Sequence, residues 1–224
     1  MLPWVHLGTA IVPGGGGELR LMQRGTEFVI MAGRTPLMNS RMSGSEEALA
    51  TLGWAHIAGR PQPQVLIGGL GMGFTLRALL AIATPAARIR VVELVPEIVA
   101  WARGPLAPIF GDCLDDLRVQ LETADVGAAI KAGKSAFDAI LLDVDNGPDG
   151  LSRPGNDRLY STTGLAAART ALRPGGVLAV WSTAPDAGFT RRLAVAGFSV
   201  AEKMVRERSN GRGARHTIWL ATRH

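Results

Sequence analysis

From residue 64 onward the chain alternates short apolar runs with stretches whose apolar residues recur at helical spacing. The runs are "QVLIGG", "ARIRVVEL", "LRVQLE", "FDAILLDV", "GGVLAVWS", "GFSVAEKMV" and "RHTIWLAT". Between the early ones lie "FTLRALLAIA", "PEIVAWAR", "VGAAIKAG" and "TGLAAARTALR", whose spacing predicts helices. Near-continuous apolar strands separated by helices imply a parallel sheet covered on both faces. The last two runs are joined by "RERSNGRGAR", too poor in apolar residues for a crossover helix, so they are expected to pair as an antiparallel hairpin. The pattern therefore predicts an α/β fold: a doubly wound, seven-stranded, mostly parallel, Rossmann-like sheet that ends in a hairpin.

Before residue 64 the pattern changes. "GELRLMQRGTEFVIMAG" predicts two short strands around Arg24-Gly25, and "GGGG" at 14–17 a flexible loop. "SGSEEALATLGWAHIA" predicts a helix, with Ser43 as N-cap and Glu46 at the capping-box spacing. The expected organisation is a small β-hairpin element at 1–42 and the main α/β domain at 43–224.

Composition narrows the class. Apolar residues make up 47% of 224, enough for a sizeable buried core, and no run approaches the ~18 residues of a membrane span. No basic stretch precedes the apolar N-terminus, so no signal peptide is expected. The one cysteine, Cys113, excludes an intrachain disulfide and favours a reducing, cytoplasmic setting. The net charge of +5 is concentrated in the tail, where no aromatic residues interleave with the arginines; a solvated basic hairpin is expected, not a nucleic-acid surface. The four histidines show no metal-ligand spacing, and no metal is expected.

Chemistry enters at "VLIGGLGMGF", where a buried strand breaks into Gly69, Gly71 and Gly73. The Gly-Lys-Ser at 133–135 fails as a phosphate loop, because Ala128 stands at the first glycine and a strand follows it instead of preceding it. The dinucleotide fingerprint fails because Phe74 replaces its third glycine. Three acids fall at or after strand ends: Glu93 in "VVELVP", Asp125 in "ETAD" and Asp143 in "LLDVDN". Strand C-termini line the ligand crevice of an open α/β sheet, and an acid some 20 residues past the glycines suits a ribose. Asp125 also reads as a plain helix N-cap. An adenosyl site without a phosphate motif points to S-adenosylmethionine.

These residues resemble the spermidine synthase family, the polyamine aminopropyltransferases, within the class I S-adenosylmethionine-dependent methyltransferase fold. The similarity runs over about residues 18–183, through "VLIGGLGMGFTLR", "VVELVPEIV", "TADV", "FDAILLDVDNGPDG" and "LYSTTGLAAARTALRPGGVLAVW". It implies that Gly69, Gly71, Met72, Gly73, Glu93, Leu94, Asp125, Val126 and Asp143 face the cofactor. It further implies that Asp143 is the first candidate for the base, with Asp145 and Tyr160 behind it, and that Glu47 and Asn146 face the substrate. For Tyr160 a packed aromatic is an equal reading.

The departures shape the functional expectation. Met72 stands where the family carries an aspartate, Ser45 where it carries a tyrosine, and Asn146 where it carries a second acid. Recognition of a polycation needs several carboxylates. The expectation is therefore a methyltransferase acting on a small-molecule or peptide acceptor. The alternatives are an aminopropyltransferase using decarboxylated S-adenosylmethionine, or a non-catalytic adenosyl-binding protein. The apolar faces of "LRLMQ" and "EFVIM" predict a homodimer.

Overall fold

The structure is a computed structural model that describes residues 2–144, 147–148, 154–208 and 210–224, with the backbone alone at 154–156. Four strands come first: β1 (Val5–Ile11), β2 (Glu18–Arg24), β3 (Glu27–Ala32) and β4 (Thr35–Asn39). They form an antiparallel sheet in the order β1-β2-β3-β4. The expected hairpin is its centre, β2 and β3, paired from Leu19 with Ala32 to Arg24 with Glu27. The two outer strands extend it.

Helix α1 (Gly44–Ala55) leads into β5 (Gln64–Gly68), α2 (Phe74–Ile82), β6 (Arg88–Glu93), α3 (Pro96–Arg103), the short α4 (Ala107–Phe110) and β7 (Val119–Thr123). After these come α5 (Val126–Ala132), β8 (Phe137–Leu142), α6 (Pro154–Tyr160), α7 (Thr162–Ala171), β9 (Leu172–Ser182), α8 (Ala187–Val195), β10 (Phe198–Arg206) and β11 (Arg215–Arg223). The second sheet has seven strands in the order β10-β11-β9-β8-β5-β6-β7. Strands β5 to β9 run parallel, while β11 is antiparallel to both β9 and β10. This is the doubly wound, mostly parallel sheet with a terminal hairpin that the hydrophobic pattern implied. Among the described residues no helix is long and apolar enough to cross a membrane.

Strand β8 shows how the sheet is buried. All six of its residues are buried, and successive side chains point to opposite faces. Ala139 and Leu141 join one apolar cluster, and Ile140 and Leu142 the other. The first cluster also takes Leu19, Leu21 and Ile30 from the N-terminal sheet and Leu49 from α1. The small sheet thus shares its core with the larger one, which seats β4 beside the glycine loop.

Register then sets the site. Gly68 pairs with Val92 on one side and Leu142 on the other, so β5, β6 and β8 end level. Gly69 N–H bonds Val92 O at 2.9 Å, and Asp143 N–H bonds Gly68 O at 3.0 Å. The chain order reverses between β5 and β8, the switch point where open α/β sheets bind ligands.

The first turn of α1 differs from its expected capping box. Ser43 makes no side-chain cap; its hydroxyl donates instead to the Glu47 carboxylate at 2.7 Å, while Glu46 accepts from Ser45 Oγ at 2.6 Å. The Gly-Lys-Ser at 133–135 lies where α5 ends, with Gly133 as the C-cap.

Candidate active site

Gly69 and Gly73 are glycines for reasons of space. Both have positive φ, +90° and +78°. A Cβ on Gly69 would fall 2.4 Å from Asp143 O, and one on Gly73 2.5 Å from the Phe110 ring. Gly69 and Gly71 line a crevice at the strand ends, together with Glu93, Leu94, Asp125, Val126 and Asp143. Gly73 is the N-cap of α2, and Met72 turns away into the apolar core, 2% exposed.

Glu93 is buried, and its two carboxylate oxygens accept the backbone N–H groups of Leu70 at 2.8 Å and Val95 at 2.9 Å. Burial pushes its pKa up, and these backbone donors oppose that rise. Each carboxylate oxygen has further acceptor capacity for a ribose hydroxyl. The same residue therefore pins the glycine loop and faces the crevice. Asp125 combines two roles in a similar way: it caps α5 by accepting from Ala128 N at 3.1 Å while lining the crevice.

Asp143 accepts from the Thr75 hydroxyl at 2.7 Å. Burial raises its pKa to about 6; the Thr75 bond works against this, and the nearby charge of Glu93 adds to it. Glu46 is raised to about 7, first by burial and then by repulsion from Asp143. Of the two α1 acids, Glu47, expected to face the substrate, accepts from the Ser43 hydroxyl, while Glu46 accepts from Ser45 and lines the second pocket. Its interaction with Asp143 is three-dimensional, and only the capping spacing of Glu46 was visible in the sequence.

Tyr160 is buried among the apolar residues of the opposite cluster, edge-on to Phe189 at 5.6 Å, with its hydroxyl donating to Val144 O at 3.4 Å. Asp145 and Asn146 lie outside the described residues.

The crevice holds about 80 Å³, less than the few hundred that ligand pockets usually offer. Its wall is Leu37 and Met38 of β4; a Cβ on Gly71 would sit 3.2 Å from the Met38 thioether. An unbranched methionine can swing aside for a nucleoside more readily than a branched side chain. Beyond the same two residues lies a second pocket, of about 220 Å³, that carries Glu46.

The spermine/spermidine synthase domain matches residues 45–187. Polyamine aminopropyltransferase 2 of Pseudomonas aeruginosa is 34% identical over 124 residues, 54% of this chain and 33% of the relative. The polyamine aminopropyltransferase of Mycobacterium tuberculosis H37Rv is 36% identical over 126 residues, 54% of this chain and 23% of the relative. The matched region is a third or less of these curated relatives. A spermidine synthase crystallised with the transition-state analogue AdoDATO superposes with a TM-score of 0.79 at 18% identity, covering 98% of this chain and 74% of that one. The spermidine synthase of Thermotoga maritima gives 0.75, also at 18% identity, over 98% and 72%. These two likenesses concern the fold. The expectation of methyl transfer is corrected here: the family match and the curated relatives are of the aminopropyl-transferring kind. Met72, Ser45 and Asn146 replace two acids and a tyrosine of the family, but two further acids, Glu46 and Glu207, line the adjoining pocket.

Proposed function

The chain belongs to the spermine/spermidine synthase domain family, and on that premise we propose that it transfers an aminopropyl group from decarboxylated S-adenosylmethionine to an amine. One observation carries the reading. The crevice is lined by three carboxylates, Glu93, Asp125 and Asp143, with no lysine, arginine or histidine among its described lining residues. A donor that carries an ammonium and a sulfonium but no carboxylate suits that charge. The carboxylate of S-adenosylmethionine itself would be set among acids with no cation to answer it.

When bound, such a donor supplies a propyl carbon activated by its sulfonium. In this reading Glu93 accepts from the ribose hydroxyls and Asp125 from the adenine amine. Gly69 and Gly71 let the backbone come close, and Leu94 and Val126 enclose the base. The acceptor amine enters from the second pocket and must lose one proton to act as a nucleophile; its attack on the propyl carbon breaks the C–S bond, and the thioether leaves neutral. Asp143 and Glu46 stand on the two sides of that junction with raised pKa values, as groups that take a proton near neutrality should. Thr75 is a positioning residue that holds Asp143 by its hydroxyl. Alignment of the two reactants contributes the larger part of the rate.

Calorimetry with both donors tests the reading. Decarboxylated S-adenosylmethionine should bind at least about tenfold tighter than S-adenosylmethionine, about 1.4 kcal/mol. Tighter binding of the carboxylated form would contradict it.

A further inference from the structure

Strand β4 reaches the glycine loop through an irregularity in its pairing. Asn39 pairs with Val29 and Met38 with Ile30, but the next pair is Pro36 with Met31, so Leu37 has no partner on β3. Such a bulge re-aims side chains, and bulges concentrate at sheet edges and beside active sites. In a regular strand Leu37 and Met38 would point to opposite faces. Here both line the crevice.

Met38 continues the inner face of the small sheet. Its cross-strand partner Ile30 is fully buried, and Ile30 pairs in turn with Leu21, which is fully buried as well. That row aims Met38 at the glycine loop, where its thioether end lies over Gly71. A Cβ on Gly71 would sit 3.2 Å from both Sδ and Cε of Met38. The main chain is fixed on both sides of this contact. Ser40 N–H bonds Phe28 O at 2.9 Å just past β4, and Gly73 N–H bonds Leu70 O at 2.8 Å across the loop. The part free to move is the methionine side chain, unbranched and with three rotatable bonds. With that side chain over Gly71 the crevice holds about 80 Å³, too little for a purine joined to a ribose.

We propose that Met38 is a gate on the crevice. In the empty protein its thioether occupies the space over Gly71 that the nucleoside part of the donor takes, and the donor enters only when that side chain has swung away. A binding-competent state that is populated only part of the time lowers both association rate and apparent affinity. The inference rests on the adenosyl reading of the crevice, and its test separates the two.

The probe is methylthioadenosine, which has the nucleoside and a thioether but no group to transfer, so binding is read without turnover. Association and dissociation rate constants are measured by surface plasmon resonance for the parent, Met38→Ala and Met38→Ile, with melting temperatures to show that each is folded. Met38→Ala removes the gate and should raise the association rate constant about tenfold. Isoleucine is branched at Cβ and stiff at χ1, so Met38→Ile should lower it about tenfold. A Met38→Ala protein that associates at the parent's rate or more slowly overturns the gate and leaves the adenosyl reading standing. A folded Met38→Ile protein that associates as fast as Met38→Ala also overturns it. A parent that does not bind methylthioadenosine removes the adenosyl reading, and this inference with it.

Discussion

Replacing Asp143 by asparagine should make the protein more stable and much less active at once. The folded pKa of Asp143 is raised to about 6, while an aspartate in an unfolded chain titrates near 3.9. The folded state therefore holds this proton more tightly than the unfolded state does. That contribution is fully present below about pH 4 and is lost as pH rises through 6. Above pH 7 the ionised carboxylate is a burden on the fold: a two-unit shift at about 1.4 kcal/mol per unit sets a ceiling near 3 kcal/mol. The amide carries no charge, keeps an oxygen for the Thr75 hydroxyl and relieves the repulsion on Glu46. Urea unfolding of parent and variant from pH 4 to pH 8 should show the variant ahead by about 1–3 kcal/mol at pH 8, narrowing toward zero near pH 4. Transfer should fall by about 10²–10⁴-fold, with donor affinity changed only a few-fold. A variant less stable than its parent at pH 8, or a difference that does not vary with pH, would refute the placement of this acid in a desolvated, repulsive site.

Other changes give distinct readouts. Glu93→Ala leaves two buried N–H groups without an acceptor, so donor affinity measured by calorimetry should drop at least about tenfold and the melting temperature should also fall. Turnover should rise with pH through the range of about 6 to 7 as Asp143 and Glu46 ionise; a flat profile from pH 5 to 8 would exclude both as proton acceptors. Asp138 is fully buried at the start of β8, the end of the sheet away from the crevice, and pairs with Arg60 and Arg173. Asp138→Ala leaves Gln64 N–H without its acceptor and two half-exposed arginines unpaired, and should cost about 1–3 kcal/mol in urea unfolding while donor affinity in the folded protein is kept. Val5, Leu7 and Ile11 are exposed on β1, an edge of the small sheet; light scattering should find a dimer that Ile11→Glu dissociates.

The larger sheet could be read from the sequence because its strands are buried on both faces. A run such as "FDAILLDV" has no other role in a chain of this size. The outer strands of the small sheet carry a weaker signal. Strand β1 shifts register between His6 and Gly8, leaving Leu7 without a paired residue on β2, and β4 contains Pro36, which an edge strand tolerates. Helix α8 buries only Phe189 and Leu193, too narrow a stripe to stand out. The crevice was legible because Gly69, Glu93 and Asp143 sit at or just past strand ends that the pattern locates. The second pocket was not, because Glu46, Trp181, Glu207 and His216 meet only after α1, β9 and the last hairpin have packed together. The double duty of Glu93 was equally hidden. A strand-end acid looks free in sequence, and only the fold turns the N–H groups of Leu70 and Val95 onto it.

The most direct test of aminopropyl transfer is product analysis by mass spectrometry. The protein is incubated with 1,4-diaminobutane and either decarboxylated S-adenosylmethionine or S-adenosylmethionine. Aminopropyl transfer yields an aminopropylated diamine and methylthioadenosine in equal amounts from the first donor, and no methylated amine from the second. Methylated product from S-adenosylmethionine, or no product from either donor, would contradict it.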